Sequence, residues 1–359
     1  ISRLISSITL INFASLPQFM PEKLIRINLV SAPSEKLMGK EYSYPLALCY
    51  LGSSLEAAGY RVKAHDLFRI PYEQIDAKKL ADCDVIGFSI LTWNRIASFK
   101  LIQDVKRINP NIKIIAGGVH CQTLYGQILK NYPIDLVAIG EADTTIVEMI
   151  KILEGRLDKK DVKGIAYLED EKVIFVPKKL LTRQELDDLP FPKYEYFVND
   201  KSKTVYMMTS RGCGFHCTFC STTVYWGNLW RSHSVERTIN EIEHVLAKFP
   251  HIKHIFFHDD QFCLDNNRVI ELCKEIVKRD LKFSWNCSAR VFPISDEMLG
   301  WMKKAGCIWI TYGVESGSQS QILSMNKLIT IDQIKYTFAR TRKAGIKPEM
   351  FLFVWIPGE

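Results

Sequence analysis

From Leu24 to about Glu154, short apolar runs alternate with amphipathic segments of helical length, and this alternation constrains the fold more than any other feature of the chain. The runs are LIRINLVS, RVKAHDL, DVIGFSI, IKIIAGG and IDLVAIG. Between and after them lie YPLALCYLGSSLEAAG, a segment from about Arg95, another after AGG, and TIVEMIKILEG. Strands separated by helices cannot close hairpins with one another, so they are expected to pair in parallel with helices over both faces. Residues 20–154 are therefore predicted to form a five-stranded, doubly wound α/β domain. Gly59 is placed to cap the first helix, and Pro110 with Asn111 breaks the chain before the fourth strand.

Residues 155–202 read as a connector. GIAYLEDEKVIFVP is predicted to be a hairpin around Glu169–Glu171, and LTRQELDDLPFPKYEYF carries too much proline and charge for a core strand. Alternation resumes over 203–359 with TVYMMTS, HIFFHDD, LKFSWNCSAR, IWITYGVES and EMFLFVWIPG. One intervening helix shows an apolar stripe of Val235, Ile239, Ile242, Leu246 and Phe249. Gly306 and Gly345 sit where helices should end, and Thr330 with Gln333 forms a capping box. Five βα units suggest a partial barrel. The first nineteen residues are expected to be an extension outside the fold; their apolar run is too short and too polar to span a membrane.

The chain has 10 cysteines without the regular spacing of a disulfide scaffold, and three crowd into RGCGFHCTFCS. Reduced thiols and a cytoplasmic protein are expected. The net charge of +7 is scattered rather than gathered in blocks, which argues against a nucleic-acid domain. The CxxxCxxC spacing directly follows a strand, where parallel sheets place their ligands. Three thiolates cannot ligate all four irons of a cubane cluster, so one iron would stay open. The alternatives are zinc with His216 or His233 as fourth ligand, or three packed cysteines. Cys49, Cys273 and Cys287 read as core residues, as do Trp285 and Trp309. His258 either faces the site or is structural.

With Phe219 before the last cysteine, this loop resembles the signature of the radical S-adenosylmethionine (SAM) superfamily. The resemblance implies a barrel of (βα)6 type in which Cys213, Cys217 and Cys220 hold a four-iron, four-sulfur cluster. SAM would chelate the open iron and, on reduction, yield a 5′-deoxyadenosyl radical. Asp259 and Asp260 occupy the place of the superfamily's GGE-type motif for the SAM amino group. Ser288 and Arg290 are candidates for its carboxylate, and Glu315 for its ribose. The first domain is similar to the cobalamin-binding domain of one large class within the superfamily, through SILTWN, AGGVH and IGEAD in that order. Gly117 and Gly118 would let backbone approach a flat ligand, and Ser89 and Thr92 would offer hydroxyls to its nucleotide tail; His120, Gly140 and Glu141 lie on the same edge. A flavodoxin-like scaffold with no ligand is the alternative. SAPSEKLMGKEYSYP after the first strand lacks the histidine of a DxHxxG motif, so no protein histidine, His120 included, is expected on the lower face of cobalt.

Class membership implies a methyltransferase acting on an unactivated carbon of a small-molecule or lipid substrate, with an electron donor such as flavodoxin or ferredoxin. A cobalamin-dependent cyclase or rearranging enzyme is the second reading, and a non-catalytic metal- or cobalamin-binding module the third. Because the sequence stops at IPGE after the fifth barrel strand, the barrel is expected to be truncated, with a sixth unit beyond Glu359.

Overall fold

The computed structural model describes residues 25–34, 43–177 and 180–354. The first nineteen residues, most of SAPSEKLMGKEYSYP and the terminal IPGE lie outside the described residues. The first domain runs β1 (Arg26–Ser31), α1 (Leu46–Ala57), β2 (Arg61–Asp66), α2 (Ala77–Leu80), β3 (Val85–Ser89), α3 (Arg95–Ile108), β4 (Lys113–Gly117), α4 (Val119–Asn131), β5 (Leu136–Ala138) and α5 (Thr145–Leu153), then β6 (Ile165–Glu169) and β7 (Lys172–Val176). The strand order is β2-β1-β3-β4-β5-β6-β7, with β1 to β5 parallel. The order reverses at β1, as in doubly wound sheets, and ligands in such sheets lie beyond the carboxyl ends of the strands. Two apolar layers flank the sheet: one includes Ile86, Phe88, Leu101 and Ile128, the other Leu29, Leu55, Ile115 and Met149.

The sheet has seven strands where five were expected. The hairpin assigned to the connector is paired onto the first domain, with Val137 opposite Ala166 and Ala138 opposite Ile165. It turns at Asp170 and Glu171, whose φ values of 46° and 62° suit a two-residue hairpin turn. The remainder of the connector is also packed. α6 (Arg183–Asp187) opens with a capping box between Thr182 and Glu185, and Tyr194 is buried with its hydroxyl donating to Glu241.

The second domain runs β8 (Thr204–Met207), β9 (Ser210–Arg211), α7 (Thr222–Trp226), β10 (Arg231–Ser232), α8 (Val235–Lys248), β11 (His254–Phe257), α9 (Asn266–Lys278), β12 (Ser284–Arg290), α10 (Asp296–Lys304), β13 (Cys307–Glu315), α11 (Gln319–Ser324), α12 (Ile331–Lys343) and β14 (Lys347–Leu352). The long strands form a parallel sheet ordered β14-β13-β12-β11-β8, while β9 and β10 make a separate antiparallel ribbon. Of the stripe along α8, Ile239, Ile242 and, just past the helix, Phe249 are buried, while Val235 and Leu246 are partly buried beside them; Val245, outside the stripe, is buried as well. Gly306 and Gly345 have φ of 95° and 78°, and the Thr330–Gln333 capping box is formed.

Cys49, Cys273, Cys287 and Trp285 lie in the apolar core between the barrel sheet and its helices. Trp309 does not. It sits opposite Asn286 on the concave face, half-buried, with its ring stacked on His254 at 5.1 Å. A bulge between Trp285 and Asn286 shifts the register, so counting alternate residues places Trp309 on the wrong side.

Candidate functional site

The carboxyl end of the first sheet faces the loop that follows β9, and a cavity of ≈360 Å³ lies between them. That is within the range of small-molecule sites, about 300–1,000 Å³. Ser89, Gly117, Gly118, Gly140 and Glu141 line it from the first domain, and Arg211, Tyr225, His258 and Asp260 from the second. A larger hollow of ≈750 Å³ beside Tyr44, His65 and Asn199 includes neither the glycine edge nor the cysteine loop.

The first-domain wall combines glycines with apolar residues such as Leu48, Ile115 and Met149, and with Glu141 and Asp143. Gly118 has φ of 100°, and a Cβ there would stand 2.7 Å from the carbonyl oxygen of Ile90, so this tight approach of two loops requires glycine. At Gly140 the φ is 80°, its N–H donates to Gln122 Oε1 at 2.8 Å, and its carbonyl accepts from the Tyr225 hydroxyl at 3.1 Å. Thr92 and His120 do not line the cavity. Thr92 is exposed, its hydroxyl is 3.4 Å from His120 Nδ1, and the imidazole faces a separate surface groove beside Phe99. Burial lowers the His120 pKa, with Arg95 acting in the same direction.

Glu141 borders the cavity but its carboxylate is fully engaged. Oε1 accepts from Arg211 at 3.0 Å, and Oε2 accepts from Arg231 and from the Leu181 N–H, both at 2.7 Å. Its place in IGEAD is thus an interdomain contact. Asp143, two residues on, takes the other side of Arg211 with two bonds of 2.8 and 2.9 Å. Neither Arg211, Arg231, Asp143 nor Tyr225 was singled out by sequence reasoning. The usable signal was Arg211 standing two residues before Cys213.

The cysteine loop begins at Gly212, where φ is 85° and a Cβ would meet the Leu229 carbonyl at 2.1 Å. Cys217 is buried, while Cys213 and Cys220 are partly accessible. Burial pushes the Cys213 thiol up, against the opposing pull of the Phe215 N–H and Arg290, and Cys217 and Cys220 push it further the same way. Among the described residues no three His, Cys, Asp or Glu side chains gather tightly enough for a single metal ion. Three thiolates on one short loop fit a cubane cluster, which takes one thiolate at each of three irons. His233 Nδ1 lies 3.2 Å from Asp187, and His216 is exposed.

Around the loop, Arg290 lies with its guanidinium 3.7 Å from the Phe215 ring centroid and Nη1 3.4 Å from Cys217 Sγ. Its Nε is buried and has no partner among the described residues, one donor still available to a ligand. Ser288 is on the same concave face, half-buried. Phe219 is exposed and meets Phe353 edge-on at 4.8 Å. Glu315 has φ of 72° and is buried in an ion pair with Lys327 at 2.5 Å.

The two neighbouring aspartates differ. Asp259 accepts from the Thr209 N–H and hydroxyl, each at 2.7 Å, and from Ser210 at 2.6 Å, and is buried, so its carboxylate is consumed in fixing the end of β8. Both oxygens of Asp259, a candidate for the SAM amino group, are thus already used within the protein. Asp260 faces the cavity and accepts from the Gly212 N–H at 3.1 Å. His258 also opens onto the cavity, its ring parallel to Phe256 at 5.3 Å. Burial lowers its pKa against the opposing pull of Asp260, which favours the neutral imidazole.

A sheet edge of glycines facing, across one cavity, the segment that follows a three-cysteine loop is the architecture of a radical SAM protein with a cobalamin domain in front of its barrel. Two family models match: the B12 binding domain over residues 39–150 and the radical SAM superfamily over 207–359. An uncharacterized methyltransferase of Pyrococcus horikoshii, PH0819, is 31% identical over 349 residues, covering 94% of this chain and 75% of that protein. The anaerobic magnesium-protoporphyrin IX monomethyl ester cyclase of Rubrivivax gelatinosus is 29% identical, covering 88% of this chain and 59% of the cyclase. The cobalamin-dependent SAM radical enzyme OxsB, solved with aqua-cobalamin and SAM bound, superposes with a TM-score of 0.77 at 23% identity, over 92% of this chain and 49% of OxsB. The chain thus spans three quarters of one relative and about half to three fifths of the other two. It belongs to the radical SAM superfamily, in the group that carries a B12 binding domain. Its cofactors are a four-iron, four-sulfur cluster, SAM and cobalamin. No helix among the described residues is long and apolar enough to cross a membrane.

Proposed function

We propose that this chain is a cobalamin-dependent radical SAM methyltransferase acting on an unactivated carbon. The observation that carries this reading is the single cavity shared by the glycine edge of the first sheet and the loop beside the cysteines. When bound, the cluster supplies the electron that cleaves SAM to methionine and a 5′-deoxyadenosyl radical, and cobalamin supplies the methyl group.

Cys213, Cys217 and Cys220 would hold the cluster. Arg290, lying against Cys217, offsets its negative charge and keeps its Nε for the SAM carboxylate, with Ser288 beside it. Asp260 is placed to accept from the SAM amino group. Gly117, Gly118 and Gly140 leave room for the flat macrocycle, and Ser89 offers a hydroxyl to its tail. With Glu141, Thr92 and His120 engaged elsewhere, the macrocycle would be held chiefly by shape. The substrate is a small molecule or lipid, and the electron comes from a donor of the flavodoxin or ferredoxin kind.

The second reading, a cyclase or rearranging enzyme with the same cofactors, is favoured by the likeness to the R. gelatinosus cyclase. Anaerobic reconstitution separates the two without knowledge of the substrate. With SAM and a strong reductant, the methyltransferase reading expects S-adenosylhomocysteine that forms only when cobalamin is present. Formation of 5′-deoxyadenosine with no cobalamin-dependent S-adenosylhomocysteine would move the assignment to the cyclase reading. Absence of both products would refute catalysis.

A further inference from the structure

Between the cavity and the cysteine loop lies a buried ionic knot. Arg211 and Arg231 supply two positive charges, Glu141 and Asp143 two negative ones, and all four side chains are at most 7% exposed. The acids come from the loop after β5 in the first domain; the arginines come from the ribbon β9–β10 in the second. Arg231 Nη1 also donates to the Leu181 carbonyl at 2.6 Å, which ties in the connector. Arg211 is followed at once by Gly212, whose N–H is held by Asp260, and then by Cys213. Glu141, Asp143, Arg211 and Asp260 all line the cavity. A ligand seated there touches the residues that set the starting position of the cysteine loop.

We infer that Asp143 and Glu141, acting through Arg211, are positioning residues that couple occupancy of the cavity by cobalamin to the geometry of the cysteine loop. This rests on the cavity being the cobalamin site. The bidentate Asp143–Arg211 pair fixes the guanidinium plane, and with it the direction in which the chain enters the loop. Filling the cavity restrains both walls, so the cluster should be harder to dismantle when cobalamin is bound.

The test measures, in the reconstituted protein, the rate at which a ferrous chelator removes cluster iron with and without cobalamin, and separately titrates cobalamin by its visible absorbance. In the native protein cobalamin should slow iron loss about tenfold, a typical coupling between two sites. D143N, assayed at cobalamin concentrations that saturate its own titration, should lose this protection. R211K, which keeps the charge without the fork, should show a reduced protection. K193M, which removes the separate Lys193–Glu56 tether between connector and α1, should keep it in full. If D143N does not fold, E141Q takes its place, with thermal melting as the check. Native protein that binds cobalamin yet loses iron at the same rate overturns the inference, as does a protected D143N. Native protein that fails to bind cobalamin sinks the cavity assignment itself, and the titration shows this independently of the iron measurement.

Discussion

The two walls of the interdomain cavity solve the same problem by different means. On the first-domain side the wall is glycine and apolar residues apart from Glu141 and Asp143, with Gly118 forced into a conformation that other residues rarely adopt. On the barrel side it is charged and aromatic, and its charges are already answered by partners: Arg211 by Asp143 and Glu141, and Asp260 by the Gly212 N–H. One wall selects by shape, and the other holds reactive groups in fixed positions. Damage to the first should weaken binding while sparing chemistry, and damage to the second should do the reverse.

Cys217→Ala should therefore have the largest effect, abolishing 5′-deoxyadenosine formation while cobalamin still binds, weakened by no more than about the tenfold coupling between the two sites. Complete loss of cobalamin binding as well would mean that the first wall does not hold the ligand. Next comes Arg211→Leu, which strands Asp143 and one oxygen of Glu141 without their cation. Removing one partner of a buried pair costs about 3–5 kcal/mol, read as a lower midpoint in chemical denaturation. A change under about 1 kcal/mol, the size expected of an exposed pair, would show that the knot is solvated rather than buried. Gly118→Ala is smaller, about 1–3 kcal/mol for the strained backbone, and should appear mainly as weaker cobalamin binding with SAM cleavage retained. Smallest of all is His120→Ala: the cob(II)alamin electron paramagnetic resonance spectrum should lack nitrogen superhyperfine splitting both before and after substitution. A nitrogen triplet that vanishes in the variant would place His120 on cobalt.

Local signals were legible in the sequence and distant ones were not. The parallel order of β1 to β5, the glycine caps, the Thr330 capping box and the cysteine loop all depend on residues a few positions apart. The joining of β6 to β5 depends on Ala166 meeting Val137, which hydropathy does not encode. Glu141 looked like a ligand contact because its partners Arg211 and Arg231 lie 70 and 90 positions away. Asp259 and Asp260 are adjacent, but one faces the end of β8 and the other the cavity, a difference set by Thr209 and Ser210 about fifty positions earlier. Trp309 was misplaced by a one-residue bulge.

The helix α1 carries a consequence for how the molecule comes apart. Its Leu48 and Leu55 pack under the first sheet, while its Leu46, Cys49 and Tyr50 belong to the apolar core of the barrel. A helix owned by two cores cannot be released by one and kept by the other. Calorimetry should accordingly record one cooperative melting event rather than two, and cutting the chain at the connector should leave halves that precipitate. Exchange of the front domain between relatives would have to carry the matching barrel face with it, so lineages of this architecture should diversify by changing loops rather than by recombining halves.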